Sequence, residues 1–508
     1  MFKEASSFLD RLLYIAYPLI RQQKGERSMY EFETKPYAHQ KTIFEASWGA
    51  RSHALFLEMG TGKSKIAIDS LAALHEDGSV NTALVVAPKG VYANWVEQEL
   101  PLHLPKRIPV KIVRWQSNVT KKFREALTEL ADPSHTDLHI LVMNVEALST
   151  VKGAASAFKF LKMNPNNMFI MDESTAIKNR KALRTKNAIK AAGLAKYRRI
   201  LTGSPITRNP MDLYSQCEFL SPQLLGFKSF FAYQARYAVV RRRAMGNRSF
   251  QEITGYQRLD ELHDKLERFS SRVLKEDCLD LPAKIYTMRR VPLSKEQESA
   301  YVQMKKLALA RLEQGELSST TSILTQIMRL QEICCGHLKT DSGEIEDIPN
   351  RRLDEMLATI DEMTGKVIIW ATWVYDIERI VKKLNEQYGP GSAEAFYGAT
   401  AQENRQEIVE RFQDPDSGLR FFVGNPRTGG YGLTLTAATN VIYWNNSYDL
   451  ETRIQSEDRA HRIGQDHHVL YVDLVSPGTV DEKILKALKA KIDIAQTVLG
   501  EDSREWLL

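Results

Sequence analysis

The sequence contains few cysteines and no pair of them spaced for metal binding. Only four of its 508 residues are cysteine, Cys217, Cys278, Cys334 and Cys335, and no Cys-x-x-Cys pair occurs. Structural zinc sites usually take their ligands from such pairs, so we expect none here. Four thiols in so long a chain are typical of a reducing compartment rather than of a secreted protein stabilised by disulfides.

Long apolar runs are missing as well. The longest run near the start, residues 12–20, is short and contains Pro18, so it does not predict a membrane helix. It also lacks the small-residue cleavage site of a signal peptide. We therefore expect a cytoplasmic protein without a membrane partner.

A large excess of charge is absent too. The net charge is +6 at pH 7, which permits nucleic-acid binding without demonstrating it. Basic residues cluster at 121–124, 178–186 and 236–248. Each cluster taken alone is more often a solvated face than a binding site.

The chain is too long for a single hydrophobic core. Apolar stretches of strand length alternate with helical patterns in two regions, which predicts βαβ units and parallel sheets. The predicted class is α/β, with an appended segment at 1–28, a first parallel-sheet domain at 29–220, a mostly helical protrusion and linker at 221–350, and a second parallel-sheet domain with C-terminal helices at 351–508.

The stretch at 57–64, LEMGTGKS, is the centre of the predicted site. It follows the apolar residues 54–56 and precedes a helical pattern at 65–74, which is the context of a phosphate-binding loop. Backbone N–H groups and a helix N-terminus favour an anion there. Lys63 would reach nucleotide phosphates, and the Ser64 hydroxyl would ligate Mg²⁺. Leu57 occupies the place of the usual first glycine, so an ordinary glycine turn that caps a helix is the alternative.

Polar residues follow two more apolar strands of the first domain. Asp172 and Glu173 end the strand at 167–171, and Thr202 and Ser204 follow the strand at 198–201. Ligands of parallel sheets bind beyond the carboxyl ends of the strands, where these residues and the Lys63 loop would meet. Asp172 would then hold Mg²⁺, and Glu173 would orient or deprotonate the attacking water.

The second domain has no phosphate loop of its own. Strands are predicted at 365–371, 393–397, 419–424 and 440–444, and the stretch 455–465 is predicted to open a helix. Arg459 and Arg462 are three residues apart and would share one helix face. Such arginines can stabilise the transition state of phosphoryl transfer. A pair of salt-bridged surface arginines is the alternative, and spacing alone favours it.

Eight stretches in consistent order resemble the motifs of superfamily 2 helicases, and within them the SWI/SNF-like DNA translocases. In chain order they are 58–64 (EMGTGKS), 87–99 (APKGVYANWVEQE), 143–148 (MNVEAL), 171–175 (MDEST), 201–209 (LTGSPITRN), 274–282 (LKEDCLDLP), 427–438 (RTGGYGLTLTAA) and 458–465 (DRAHRIGQ). The resemblance covers about residues 35–490. It implies two RecA-like lobes in tandem, with ATP bound between them and nucleic acid across both.

The resemblance also assigns roles to individual residues. The implied ATP contacts are Gln40 (adenine), Met59, Gly60, Thr61, Gly62, Lys63, Ser64 and Gly432. The implied catalytic residues are Lys63, Asp172, Glu173, Gln455, Arg459 and Arg462, with Ser64 and Asp172 on Mg²⁺ and with Thr202 and Ser204 in coupling. The implied contacts to the nucleic-acid backbone are Lys89, Asn144, Thr372, Arg427 and Thr428.

Some positions depart from the family pattern. Thr175 stands where the family usually has histidine, and Asn445 where an aspartate is usual. No chromatin-reader module or zinc ring is visible, so the chain is similar to the minimal motors of bacteria and their phages.

The resemblance implies a monomeric, ATP-hydrolysing translocase that acts on double-stranded DNA without sequence preference; protein partners are not indicated. The alternatives are a helicase that remodels forks or junctions, a DNA-binding scaffold without hydrolysis, and a metabolic phosphate-loop kinase. The last two are disfavoured, because a scaffold would not need the catalytic residues and a kinase would not need the stretch 455–465.

Overall fold

The computed structural model describes residues 30–499 except 90, 119, 131, 133–134, 246–247, 279–280, 314–319, 341–342 and 429–432. The predicted appended segment at 1–28 and Gly432 therefore lie outside the described residues. The chain forms two compact units. The first contains the described residues up to 205, with 212–229 and 265–278, and the second contains 206–211, 230–264 and the described residues from 281 onward.

The first unit is built on a seven-stranded sheet in the order β3-β4-β2-β5-β6-β1-β9, in which every pair is parallel. Its strands are β1 (Ser52–Leu57), β2 (Thr82–Ala87), β3 (Val110–Arg114), β4 (Leu138–Asn144), β5 (Asn167–Asp172), β6 (Tyr197–Leu201) and β9 (Ser270–Val273). Strands β2 and β5 are buried along their whole length. Their continuous apolar sequences are what a strand covered on both faces requires.

Helices of the first unit alternate with these strands. They are Ala38–Ser47, Lys63–Glu76, Lys121–Leu130, Val151–Met163, Leu183–Ala192 and Leu213–Leu220, with shorter helical pieces at Tyr92–Asn94, Trp95–Glu99, Leu100–His103, Val145–Ser149, Ser174–Ile177 and Lys275–Cys278. The helix Lys63–Glu76 is buried along almost its whole length, and it packs with strands β1, β2, β4 and β5 in one hydrophobic core.

The second unit is built on a six-stranded sheet in the order β10-β17-β16-β13-β15-β14, again parallel throughout. Its strands are β10 (Lys284–Arg290), β13 (Lys366–Trp370), β14 (Ala393–Phe396), β15 (Phe421–Gly424), β16 (Ala438–Tyr443) and β17 (Val469–Val475). Its helices are Phe230–Tyr237, Lys295–Glu313, Thr320–Cys335, Arg352–Asp361, Val374–Tyr388, Gln402–Gln413, Leu450–Glu457 and Val480–Leu499. The predicted α/β class with two parallel sheets in tandem is thus confirmed.

A buried arginine joins several elements of the second unit. Arg352 is fully buried. Its guanidinium donates to the carbonyl oxygens of Cys334, Trp444 and Leu474 and, through both terminal nitrogens, to Oδ2 of Asp481 at 3.0 Å. Because an unpaired buried charge is costly, the partners of Arg352 matter for stability, and they tie three helices to the end of β17.

The segment between the two predicted domains is less helical than its sequence indicated. Besides helices, which include Leu259–Glu267, it contains β9, β10 and two antiparallel pairs, β7 (Ala238–Met245) with β8 (Arg248–Tyr256) and β11 (His337–Lys339) with β12 (Ile345–Asp347). Strand β9 joins the first sheet and β10 the second. With the sequence Ser-Ser-Arg-Val, β9 lacks the apolar run that marks the other strands.

None of the helices in the described part of the chain combines the length and the hydropathy that a bilayer crossing requires.

Candidate active site

The stretch at 57–64 is a tight loop between a buried strand and a buried helix. Strand β1 ends at Leu57, and the next helix begins at Lys63. Gly60 and Gly62 have φ angles of 83° and 89°, in the left-handed region that glycine adopts without a steric penalty. The loop therefore delivers the chain directly to a helix N-terminus, where partial positive charge favours an anion.

The Lys63 side chain folds back into this loop. It is 9% exposed, and its Nζ donates to the carbonyl oxygens of Leu57 at 3.0 Å and Glu58 at 3.2 Å. The Thr61 hydroxyl donates to the Glu58 carbonyl at 2.7 Å. The loop thus holds one ammonium group next to the helix N-terminus, as a phosphate-binding site requires.

Gln40 contacts the same loop from the buried face of the helix Ala38–Ser47. Its Nε2 donates to the carbonyl of Thr61 at 3.1 Å, and its Oε1 accepts from the N–H of Tyr37 at 3.0 Å. A Cβ added at Gly62 would lie 2.1 Å from Nε2 of Gln40. The glycine is therefore needed for its φ angle and also for the approach of the glutamine. The predicted contact of Gln40 to adenine stays a prediction.

The Asp172 carboxylate is held out of water at the end of β5. It is 6% exposed; its Oδ2 accepts from the indole N–H of Trp95 at 2.8 Å and its Oδ1 from the N–H of Glu173 at 2.9 Å. Burial raises the pKa of Asp172 above its ordinary value, while the indole hydrogen bond and the positive charge of Lys63 partly offset this rise. Because β5, β6 and β1 are parallel neighbours, the carboxylate lies at the same edge of the sheet as the loop at 57–64.

Glu173 has an unusual backbone conformation. Its φ of 44° places a non-glycine residue in the left-handed region, which costs about 1–3 kcal/mol and is common at functional sites. The Thr202 hydroxyl donates to Oε2 of Glu173 at 3.4 Å and accepts from the N–H of Ser204 at 3.2 Å. The parallel pairing of β5 with β6, which sets Asp172 opposite Leu201, brings these residues together as predicted.

Three buried or half-buried residues that the sequence analysis did not single out hold this edge of the sheet in place. Trp95 is fully buried and supplies the hydrogen bond to Asp172. Gln216 accepts from the Ser174 hydroxyl at 2.6 Å and donates to the carbonyl of Pro205 at 2.8 Å. Arg272 of β9 donates to two carbonyls of the loop region, those of Phe56 and Gly203. Of these three residues, only Trp95 lies in one of the eight stretches that resemble family motifs, 87–99. The sequence therefore offered a signal for Trp95 and none for the other two.

Arg459 and Arg462 of the second unit do not lie on a helix face. The helix ends at Glu457, and Arg459 and Arg462 follow in consecutive turns; the prediction of a shared helical face is wrong. The carbonyl of Arg459 accepts from the N–H of Leu435 instead of from a later helical residue. Nη1 of each arginine nevertheless donates to the Leu433 carbonyl, at 3.2 and 3.3 Å, so the two guanidinium groups converge.

Gln455 and the helix before these turns are firmly held. Gln455 is buried, with its Nε2 3.5 Å from Oε1 of Glu451. Arg453 donates to both carboxylate oxygens of Asp473 and, through Nε, to Glu457 at 2.8 Å. Because all three of these charged side chains are buried, their mutual pairing fixes the helix from which the arginine turns begin.

The predicted nucleic-acid contacts lie just beyond strand ends in both units. In the first unit Lys89 is exposed after β2, and Asn144, the last residue of β4, is half-buried and pairs with Ala87 of β2. In the second unit Asn425, which was not singled out, donates to the Thr372 carbonyl at 2.7 Å and accepts from the N–H groups of Arg427 and Thr428. Arg427 is exposed there. Their contacts to nucleic acid stay predictions.

The oxygen ligands at the first-unit loop suit a metal that arrives with its substrate. Across the described residues, no group of three or more His, Cys, Asp or Glu side chains could hold a metal ion alone. Magnesium is usually held by one or two carboxylates together with substrate phosphates and water. The buried Asp172 carboxylate with the Ser64 hydroxyl fits that pattern.

The two loop glycines allow a matched test of this geometry. Both have positive φ, but an added Cβ has nothing within 4 Å at Gly60, whereas at Gly62 it meets Gln40 at 2.1 Å. We expect Gly60→Ala to cost about 1 kcal/mol of backbone strain and Gly62→Ala to cost about 1–3 kcal/mol more through the displaced glutamine. Denaturant unfolding of both variants measures the difference, and equal losses would contradict the packing described here.

Two family models match the chain. The SNF2-related domain matches residues 22–338, and the helicase conserved C-terminal domain matches residues 350–464. An uncharacterized ATP-dependent helicase of Mycoplasma genitalium is 27% identical over 449 residues, which cover 88% of this chain and 40% of that protein. The chromatin structure-remodeling complex subunit snf21 of Schizosaccharomyces pombe is 25% identical over 474 residues, covering 87% of this chain and 37% of that protein.

Among solved structures, the chain is similar to the Sulfolobus solfataricus SWI2/SNF2 ATPase core in complex with dsDNA, with 23% identity, a TM-score of 0.41, and coverage of 94% of this chain and 96% of the other. The chain spans about two fifths of the length of the two curated relatives named above.

Proposed function

Because the chain belongs to the SNF2-related family, we propose that it is an ATP-hydrolysing motor that moves along double-stranded DNA without sequence preference. The observation that carries the proposal is the convergence of Lys63, Asp172 and Glu173 at one edge of the first sheet. A DNA-binding scaffold has no need of buried opposite charges at a helix N-terminus. The Mycoplasma genitalium relative is named an ATP-dependent helicase, which supports the same chemistry here.

In the proposed reaction, the loop at 57–64 binds the ATP phosphates. Lys63 exchanges its bonds to the Leu57 and Glu58 carbonyls for bonds to phosphate oxygens, and the helix dipole adds to its charge. Mg²⁺ bound with the nucleotide neutralises phosphate charge, and Ser64 and Asp172 would hold it. The Glu173 carboxylate orients and deprotonates the attacking water, with Thr202 fixing one of its oxygens.

The converging arginines are the proposed counterpart of this chemistry. Arg459 and Arg462 would stabilise the negative charge that spreads over the transferred phosphoryl group, an effect worth about 10³–10⁵ in rate in phosphate-loop enzymes. Gln455 would assist them. In this proposal, rapid hydrolysis requires both the residues at the loop 57–64 and the two arginines.

The DNA contacts would be made at the same edge of the first sheet as the chemistry. Lys89 follows β2, and β2 pairs with β5, which ends in Asp172. The helical pieces after Lys89 carry Trp95, whose indole reaches Asp172. Backbone contacts of this kind are independent of sequence and weaken with salt. We propose that DNA bound at Lys89 and Asn144 stimulates hydrolysis through this short connection.

The role of the candidate base is tested by an isosteric change. Glu173→Gln keeps the shape and the hydrogen bond of the side chain but removes its basicity, so we expect ATP binding to persist while turnover falls about 10²–10⁴-fold. Lys63→Ala should lose both, because the phosphates lose their cation. Binding of a fluorescent ATP analogue and phosphate release measure the two steps. Normal turnover in Glu173→Gln would exclude it as the base.

Trp95 offers a test of how Asp172 is positioned. Trp95→Phe retains an aromatic ring but deletes the indole N–H that donates to Asp172, so we expect the Mg²⁺ concentration at half-maximal ATP hydrolysis to rise about tenfold. Trp115→Phe is the matched control, because Trp115 is also buried but packs against Phe123. Magnesium titrations of the two variants give the comparison. An unchanged magnesium requirement in Trp95→Phe would refute the positioning role.

A further inference from the structure

A separate two-stranded ribbon stands out in the second unit. Strands β7 and β8 pair with each other in an antiparallel sheet of their own, from Ala238 opposite Tyr256 to Met245 opposite Arg248. The proposed ATP and DNA sites do not use this hairpin. A strand of nine residues, the length of β8, extends about 30 Å. The ribbon is therefore a long, thin element rather than part of a packed layer.

The root of the hairpin is anchored. Tyr233 and Tyr237 of the preceding helix are fully buried, and the Tyr233 hydroxyl donates to the Pro210 carbonyl at 2.8 Å. The carboxylate of Glu261 accepts from the Tyr237 hydroxyl at 3.0 Å and from Nε of Arg236 at 3.0 Å. An anchored root lets the ribbon transmit force or hold an orientation, which a loose loop could not.

Positive charge is concentrated on the ribbon. Residues 238–256 contain four arginines and one glutamate, a net charge of +3, whereas all 508 residues together carry +6. No acidic residue occurs from 238 to 251. Arg241 and Arg242 are exposed neighbours in β7, and successive side chains of a strand point to opposite faces. The ribbon therefore has an arginine on each of its two faces, and its one acidic residue, Glu252, lies opposite Arg241.

We propose that this hairpin lies in a groove of duplex DNA and neutralises phosphates on both sides of it; the inference rests on the proposed function in taking DNA as the ligand. The major groove is about 12 Å wide and admits a two-stranded ribbon. Phosphates line both walls of a groove, which matches a ribbon with cations on both faces. A flat protein surface would engage only one face and leave the other arginine unused.

The competing explanation is protection of a sheet edge. Charged side chains on an exposed strand discourage pairing with other chains, and this role needs no DNA. The two explanations differ in what happens to the salt dependence of DNA binding. Each phosphate contact contributes about 0.9 to the slope of log affinity against log salt concentration.

The experiment compares Arg241→Gln/Arg242→Gln with Lys305→Gln/Lys306→Gln in the full chain. Lys305 and Lys306 are exposed neighbours on the helix Lys295–Glu313 of the same unit, so both variants lose two charges. The binding of a fluorescent 30-base-pair duplex is measured from 50 to 300 mM salt, and thermal unfolding checks that both variants are folded.

We expect the arginine variant to lose about 1.8 from the salt slope and to bind roughly 10- to 30-fold more weakly near 0.15 M salt. The lysine variant should match the wild type, and ATP hydrolysis without DNA should be unchanged in both. Arg241→Lys/Arg242→Lys should retain the wild-type slope, because phosphate contacts need charge rather than guanidinium shape.

Equal slopes in the arginine and lysine variants, with wild-type binding intact, would overturn the hairpin inference and favour edge protection. A single-stranded oligonucleotide of equal length should show no dependence on Arg241 and Arg242; an equal loss on single strands would overturn the groove assignment. A wild-type chain that binds no duplex would instead contradict the proposed function itself.

Discussion

Two opposite charges, the Lys63 ammonium and the Asp172 carboxylate, are kept almost entirely out of water at one edge of the first sheet. Burying an ion is costly unless it is paired and hydrogen-bonded. Lys63 meets this requirement through backbone carbonyls of its own loop, and Asp172 through an indole and a backbone N–H. These neutral hydrogen-bond partners stabilise the two charges less than phosphate or a metal ion would. A ligand of that kind can therefore replace them. The neighbouring strands, the glycines and Trp95 can be understood as supports of that arrangement.

The second unit also holds charged side chains in fixed positions, but through other contacts. Its arginine turns leave the helix at Glu457 and are fixed by backbone carbonyls at 433–436 and by the buried Arg453–Asp473–Glu457 group. The guanidinium groups are thereby preorganised, and little reorganisation is needed when charge develops. Under the proposed function, this preorganisation lets Arg459 and Arg462 meet the charge of the transferred phosphoryl group without a large rearrangement.

Much of this fold follows from local sequence patterns. Strands β2, β5 and β13 are uninterrupted apolar runs bounded by polar residues, and the glycines of the loop at 57–64 indicate the strand-to-helix turn. Other features depend on distant residues and leave no local pattern. The hydrogen bond from Trp95 to Asp172 joins residues 77 positions apart. Strand β9 has no apolar run of its own and is recognised as a strand only through its pairing with β1. Beyond the helix Leu450–Glu457, the Arg459 carbonyl accepts from the N–H of Leu435, a contact between distant residues that spacing alone does not reveal.

The ATPase rate of Arg462→Ala at saturating duplex DNA, measured beside its affinity for an ATP analogue, tests whether the second unit takes part in hydrolysis. Arg462 lies outside the first unit, which contains the whole phosphate loop. We expect ATP binding to be retained while the DNA-stimulated rate falls by about 10³-fold or more. A variant that hydrolyses ATP at the wild-type rate when DNA is present would contradict this expectation.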